Sequence, residues 1–271
     1  MYKPENSNNV ANEFARYNNF GLREAWIRVL IERGDKFFIW DDSHPLGNKM
    51  VDSAKKWFTQ ALLVSQGRKP TKLVELFEKY GISFVIAWEF IWVALVNNSP
   101  LVKWYCLSTK INERNKVQNL LDLLKDSYPL TNNAKDRRLD PLKNLAVESP
   151  LGGDKAVIFP EMKNTKVTAL TRRAKNVHPL TILYGLYLIA AKAERVSFTV
   201  RELLKADVES MFVSPLVAFG ITSDTFKKQC EGLRTRYPDY ISTTFTHGND
   251  GLEVFPRKYT IEDIITLALG E

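Results

Sequence analysis

From His178 to the C-terminus the sequence reads as helix, helix, helix, strand, tight turn, strand, helix, an order that few small folds accommodate. The first helix runs from His178-Pro179-Leu180 to about Lys192, with Leu183, Tyr184, Leu186 and Tyr187 crowding one face. The second opens at Thr199-Val200-Arg201-Glu202, where a threonine can cap the first turn and a glutamate three residues on can cap back. The third follows Thr222-Ser223-Asp224. Its apolar residues Phe226, Cys230, Leu233 and Tyr237 recur at helical spacing, which leaves Lys227, Lys228, Glu231 and Arg234 outside, and Pro238 ends it. Ile241 to Phe245 and Leu252 to Phe255 alternate as strands around His247-Gly248-Asn249-Asp250-Gly251, a loop of residues that tolerate positive φ. Tyr259-Thr260 starts a closing helix. The order is that of a winged helix-turn-helix domain, predicted over residues 178–271.

An α-helix fits the DNA major groove, and donors on its outer side reach base edges or phosphates. Lys227, Lys228, Arg234 and Arg236 supply such donors on the third helix; His247, Asn249, Arg257 and Lys258 are placed to follow the neighbouring backbone from the wing. Winged helices also dock proteins, and this module carries 10 Lys and Arg against 12 Asp and Glu. A winged-helix transcription regulator or a non-catalytic protein-protein adaptor is therefore the alternative.

The rest of the chain shifts the balance. Its formal charge of +7 favours a polyanionic partner, because cations that neutralise phosphates release counterions. Residues 131–180 hold 10 Lys and Arg against 5 Asp and Glu, among them Arg137 and Arg138. This basic junction, 131–177, also contains Gly152-Gly153 and two short apolar runs, 156–159 and 166–170, that can pair as a small hairpin. Before it, residues 1–130 read as an N-terminal helical domain. Amphipathic stretches cover 22–33, 48–64, 71–80 and 113–127, with an apolar helix over 83–97. The helix from Asn48 resembles a helix-turn-helix element, with Lys49, Lys55 and Lys56 outside as further candidate DNA contacts. The predicted class is thus mainly α with a minor α+β component.

Four stretches carry a resemblance: Phe20-Gly-Leu-Arg-Glu-Ala-Trp26; Leu46-Gly-Asn-Lys-Met-Val-Asp-Ser-Ala-Lys-Lys-Trp57; Asn133-Ala-Lys-Asp-Arg-Arg138 running on to Glu148-Ser-Pro-Leu151; and Val177-His-Pro-Leu-Thr-Ile-Leu-Tyr184. In this order they resemble a bacterial family of unknown function encoded beside sulfur-transfer enzymes of the phosphoadenosine-phosphosulfate-reductase type, in clusters that place phosphorothioate in DNA. The family's opening turn usually contains His-Glu, where Tyr17-Asn-Asn-Phe20 stands here. The resemblance implies contact with double-stranded DNA, a part in backbone sulfur modification and phage defence, and partnership with the sulfur-transfer and ATPase proteins of the cluster. For the single-strand modification branch it implies DNA nicking.

Nicking calls for carboxylates holding Mg²⁺ or Mn²⁺, or a nucleophile among cations. The candidates are Asp140 or Asp154 followed by Glu161-Met162-Lys163. Three scattered histidines, His44, His178 and His247, argue against a histidine metal centre and read as turn or capping residues. A Gly-x4-Gly-Lys-Ser/Thr phosphate loop does not occur. Cys106 and Cys230 lie far apart and predict no disulfide framework or cysteine zinc site. The polar opening and the charged, short apolar run 82–96 predict no signal peptide, no membrane span and a cytoplasmic location.

Overall fold

Two helices that are apolar on every face organise the molecule, since such helices are stable only when covered on all sides. The structure, a computed structural model, describes residues 14, 16–39, 41, 43–128, 137–205, 212–246 and 249–271. Helix α1 is Glu24–Arg33, followed by a 3-10 turn, Gly34–Phe38. Helix α2 is Asn48–Gln60, and α3 is Lys72–Tyr80. The apolar run forms α4, Val85–Asn98, buried from Ala87 to Asn97. Its counterpart α8, Pro179–Ala193, is buried from Leu180 to Ala190. The two meet where the Phe90 and Tyr184 rings stack, 4.3 Å between centroids and 7° from parallel.

Between them run α5, Pro100–Ser108, and strand β1, Arg114–Lys116, followed by α6, Val117–Ser127, and α7, Asp140–Glu148. The expected reading missed α5, although Ser99 caps it by accepting from the Val102 amide and Pro100 stands at its first turn. Strands β2, Ile158–Lys163, and β3, Lys166–Arg172, form the expected junction hairpin, displaced by two residues and joined by β1 in a three-stranded antiparallel sheet. Arg137 and Arg138 lie in a turn that leads into α7. Helix α2 stops at Gln60, four residues short of expectation, because Leu62 turns the chain back with φ 57°.

After α8 come β4, Ser197–Thr199, the short helices α9, Val200–Leu203, and α10, Pro215–Phe219, then α11, Ser223–Arg236. Strands β5, Ile241–Thr246, and β6, Asn249–Val254, form an antiparallel ribbon, and α12, Ile261–Leu269, closes the chain. Strand β4, absent from the sequence reading, pairs with β6 to give a second sheet of order β4-β6-β5. The expected capping box forms at Thr199 with Glu202, and the structure adds a second at Thr260 with Asp263.

One connected apolar core runs from Phe14 to Ala268. Helix α12 ties the two ends of the chain together: the Leu269 carbonyl accepts from Lys79 and Tyr80 of α3, and Lys72 donates to Thr266 at 3.1 Å. Helices α8, α4 and α10 approach so closely at Gly185 that an added Cβ would stand 2.4 Å from Pro215 and 3.3 Å from Val93. Both cysteines are free and buried. Among the described residues no single helix is long and apolar enough to cross a membrane.

Candidate nucleic-acid interface

Helix α11 begins with Thr222 accepting from the Thr225 amide and buries Phe226, Cys230 and Leu233. Two contacts fix it against the ribbon. Lys227 Nζ lies 5.8 Å from the centre of the Phe245 ring, and the Thr243 hydroxyl donates to Glu231 at 2.6 Å. Moving one turn back along the helix moves two residues forward along β5, so the elements run antiparallel. The start of α11 therefore neighbours the ribbon tip at Thr246 and Asn249, and its end neighbours the ribbon base.

The four cations of α11 do not share a face. Lys227 and Arg234 stand on the ribbon side, where Arg234 pairs with Glu231 at 2.9 Å. Arg236 sits on the opposite flank and pairs with Glu271 at 3.0 Å, which also accepts from Tyr237 at 2.8 Å. With about 100° per residue, the side facing away from the core carries Asp224, Lys228, Gly232 and Thr235. Lys228, Gly232 and Thr235 are exposed, and a Cβ on Gly232 would meet nothing within 4 Å. This surface is flat beyond its first turn, with one projecting ammonium at Lys228 and one carboxylate at Asp224. Hydrogen bonding to Thr243 and pairing with Arg234 hold the Glu231 carboxyl below its ordinary range, so the helix's ribbon side is partly neutralised.

The other predicted contacts spread over the molecule. Asn249 is exposed at the ribbon tip, its side chain accepting from the Gly251 amide at 3.1 Å, and His247 lies outside the described residues. Arg257 and Lys258 follow the far end of β6, a strand roughly 17 Å long at 3.4 Å per residue, so they do not flank the tip. There they line an open hollow of about 890 Å³ with Arg195, Glu194 and Asp239. On the N-terminal body Lys49 is exposed and Lys55 and Lys56 are half-buried on α2. Arg137 is exposed and Arg138 half-buried before α7.

The nuclease candidates stay apart. Asp140 pairs with Lys143 in the first turn of α7. Glu161 on β2 is gripped by both ends of the Arg114 guanidinium, which holds its carboxyl below the usual range. Lys163 ends β2 exposed, and Asp154 lies in the loop before it. Among the described residues no three His, Cys, Asp or Glu side chains gather to hold a metal ion.

Two buried charges escaped the sequence reading. Glu89, 3% exposed, accepts from the His178 amide at 3.0 Å and the Thr181 hydroxyl at 2.7 Å, and pairs with Lys175 at 3.2 Å. It faces a 260 Å³ cavity that Asp154 and Lys155 also line. Its signal was present: a lone carboxylate inside the apolar run 82–96 needs buried partners. Arg172, buried at the end of β3, donates to the Val217 carbonyl at 2.6 Å and the Thr109 carbonyl at 2.8 Å. His44 and His178 serve as expected, each accepting a nearby amide at Nδ1. Burial pushes both thiols, Cys106 and Cys230, above the ordinary cysteine range, so neither is a ready nucleophile.

No protein-family model and no curated protein matches the chain. Two solved structures are similar to it, the crystal structure of SspB and that of magnesium-ion-bound SspB. Each superposes with a TM-score of 0.65 at 15% identity, over 94% of this chain and 86% of SspB, a likeness of fold across nearly the whole molecule.

Proposed function

We propose that this chain is a DNA-binding protein whose C-terminal part is a winged helix-turn-helix, serving the phosphorothioate modification and phage-defence role that its sequence resemblance implies. One observation carries the reading: a helix, an edge strand, short helices, the 14-residue α11 and a ribbon, with sheet order β4-β6-β5 and α11 lying along β5. That arrangement presents one flat helix side and a ribbon tip together, the two parts that a winged helix lays on a duplex. The first three segments that carry the resemblance support it by meeting in the structure. The Trp57 indole donates to the Phe20 carbonyl at 2.8 Å, and Arg23 pairs with Glu148 at 2.5 Å. The module's own balance of 10 cations against 12 acids leaves much of the phosphate attraction to cations elsewhere in the chain, such as the exposed Arg137 and Lys163 of the basic segment 131–180.

A divalent ion, which the nicking branch of the resemblance calls for, does not fit the described residues. Glu89, the one buried acid among them, already has its oxygens engaged by Lys175, His178 and Thr181, and the exposed acids are paired or dispersed. No nicking step is assigned. The test is duplex binding by fluorescence anisotropy across a salt series. Lys228→Ala removes one phosphate contact and flattens the log-log slope by about 1. An unchanged slope and affinity removes α11 from the interface.

A further inference from the structure

Helix α2 and helix α12 bound a groove made of two adjoining chambers. The outer, about 740 Å³, is lined by Arg16, Asn18, Asp52, Lys55, Lys56 and Thr59. The inner, about 470 Å³, shares Lys56 and Thr59 and runs on between the 62–66 turn, Asn98 and α12. Both volumes fall in the range of small-ligand sites, roughly 300–1,000 Å³. Their chemistry differs. The outer chamber has three cations against one acid. The inner has apolar walls in Leu62, Ile261 and Ile265, amides in Gln66 and Asn98, the Tyr184 ring, and a carboxylate at Glu262.

That polarity sorts a ligand's two ends. An anionic group is drawn to Arg16, Lys55 and Lys56 and repelled by Glu262, so it rests outside. The inner chamber suits a flat, uncharged group with polar edges, because apolar walls take its faces and amides pair with its donors and acceptors. A nucleotide has this build. Two half-buried lysines on one helix turn, with Arg16 lining the same chamber, give the phosphate a more fixed seat than a freely solvated lysine face. We propose that the groove receives one unpaired nucleotide of a DNA strand, its phosphate on Arg16, Lys55 and Lys56 and its base in the inner chamber. The proposal rests on the DNA-binding reading and extends it: α11 holds duplex, and this groove, between α2 and α12, holds an unpaired strand.

Thr59 is exposed and belongs to both chambers, so Thr59→Trp blocks the passage between them without disturbing the core. Full-length protein is titrated against fluorescein-labelled (dT)12 and a 12-base-pair duplex. Thr59→Trp is expected to weaken (dT)12 binding tenfold or more. Lys56→Glu is expected to weaken it as well and to flatten its salt slope by about 0.7, the share of one single-strand phosphate contact. Lys228→Glu should instead weaken duplex binding more than (dT)12 binding. If Thr59→Trp and Lys56→Glu both bind (dT)12 like the parent, the groove is not a nucleotide site. If the parent binds duplex but not (dT)12, this proposal alone falls. If it binds neither, the DNA reading falls with it.

Discussion

The Thr243 hydroxyl donates to the Glu231 carboxylate at 2.6 Å, and the same carboxylate holds Arg234 at 2.9 Å, so one acid fastens the ribbon to α11 and restrains a cation. Glu231→Gln keeps an acceptor for Thr243 and releases Arg234. The exposed pair contributes little to stability, at most about 1 kcal/mol, so unfolding should barely change. Duplex affinity should rise and its log-log salt slope steepen by about 1, read by anisotropy between low and moderate salt. A slope equal to the parent's would place Arg234 away from phosphate.

Two glycines should respond oppositely to alanine. At Gly185 the new methyl meets Pro215 at 2.4 Å inside the packed α8, α4 and α10 crossing. Overpacking of that kind costs about 1–3 kcal/mol and outweighs the helix propensity that alanine adds. At Gly232 nothing lies within 4 Å, so alanine should stabilise α11 by about 0.5–1 kcal/mol. Gly232→Phe should fold as well and lose duplex affinity, since a bulky ring on the flat side holds α11 off the groove. Urea midpoints and anisotropy on the three variants check both halves; full duplex binding by Gly232→Phe contradicts the proposed docking side.

The contrast between Gly185 and Gly232 also shows what sequence pattern makes readable. Helical periodicity and capping signals located α8, α11 and α12 and the Thr199-Glu202 box, because these are encoded by residues three or four apart. Strand β4 was invisible: three residues, Ser197-Phe198-Thr199, acquire strand geometry only from pairing with Glu253, Leu252 and Gly251, over fifty residues away. How the cations of α11 divide between ribbon and solvent was hidden for a similar reason. Spacing says that Lys227 and Arg234 avoid the core, and only the position of β5 decides that they face the ribbon while Lys228 faces outward. Likewise no local rule joins Arg16 to Lys55 and Lys56, or Glu262 to Thr71, across the groove.

Arg172 links three elements through two carbonyls, Thr109 after α5 and Val217 within α10. Arg172→Met fills similar volume but leaves both buried acceptors without donors, at about 1–3 kcal/mol for each. The expected loss is about 3 kcal/mol in chemical denaturation. Arg172→Lys should recover little, because a single ammonium lacks the planar fork that reaches two separated carbonyls. Full stability in the lysine variant would show that only the charge matters there.

His178 ties folding to pH. Its ring caps α8 by accepting the Leu180 amide at Nδ1, which requires the unprotonated nitrogen. Burial holds its pKa below the ordinary histidine range, against the pull of Glu271 and Glu89 and with some help from Arg236. Because the folded value is depressed, the unfolded chain takes up the proton first as pH falls. The associated stability is complete above about pH 6.5, the ordinary histidine value, and is lost as pH drops through the folded value. Asparagine caps a helix without titrating, so His178→Asn should keep α8 and flatten this part of the profile. Urea midpoints at pH 5, 6, 7 and 8 measure it: the parent should weaken between pH 7 and 5 more than the variant does. Equal slopes would mean that the pH response comes from the carboxylates whose values are lowered by partners, such as Glu202 and Asp263, which lose their contribution only at more acidic pH.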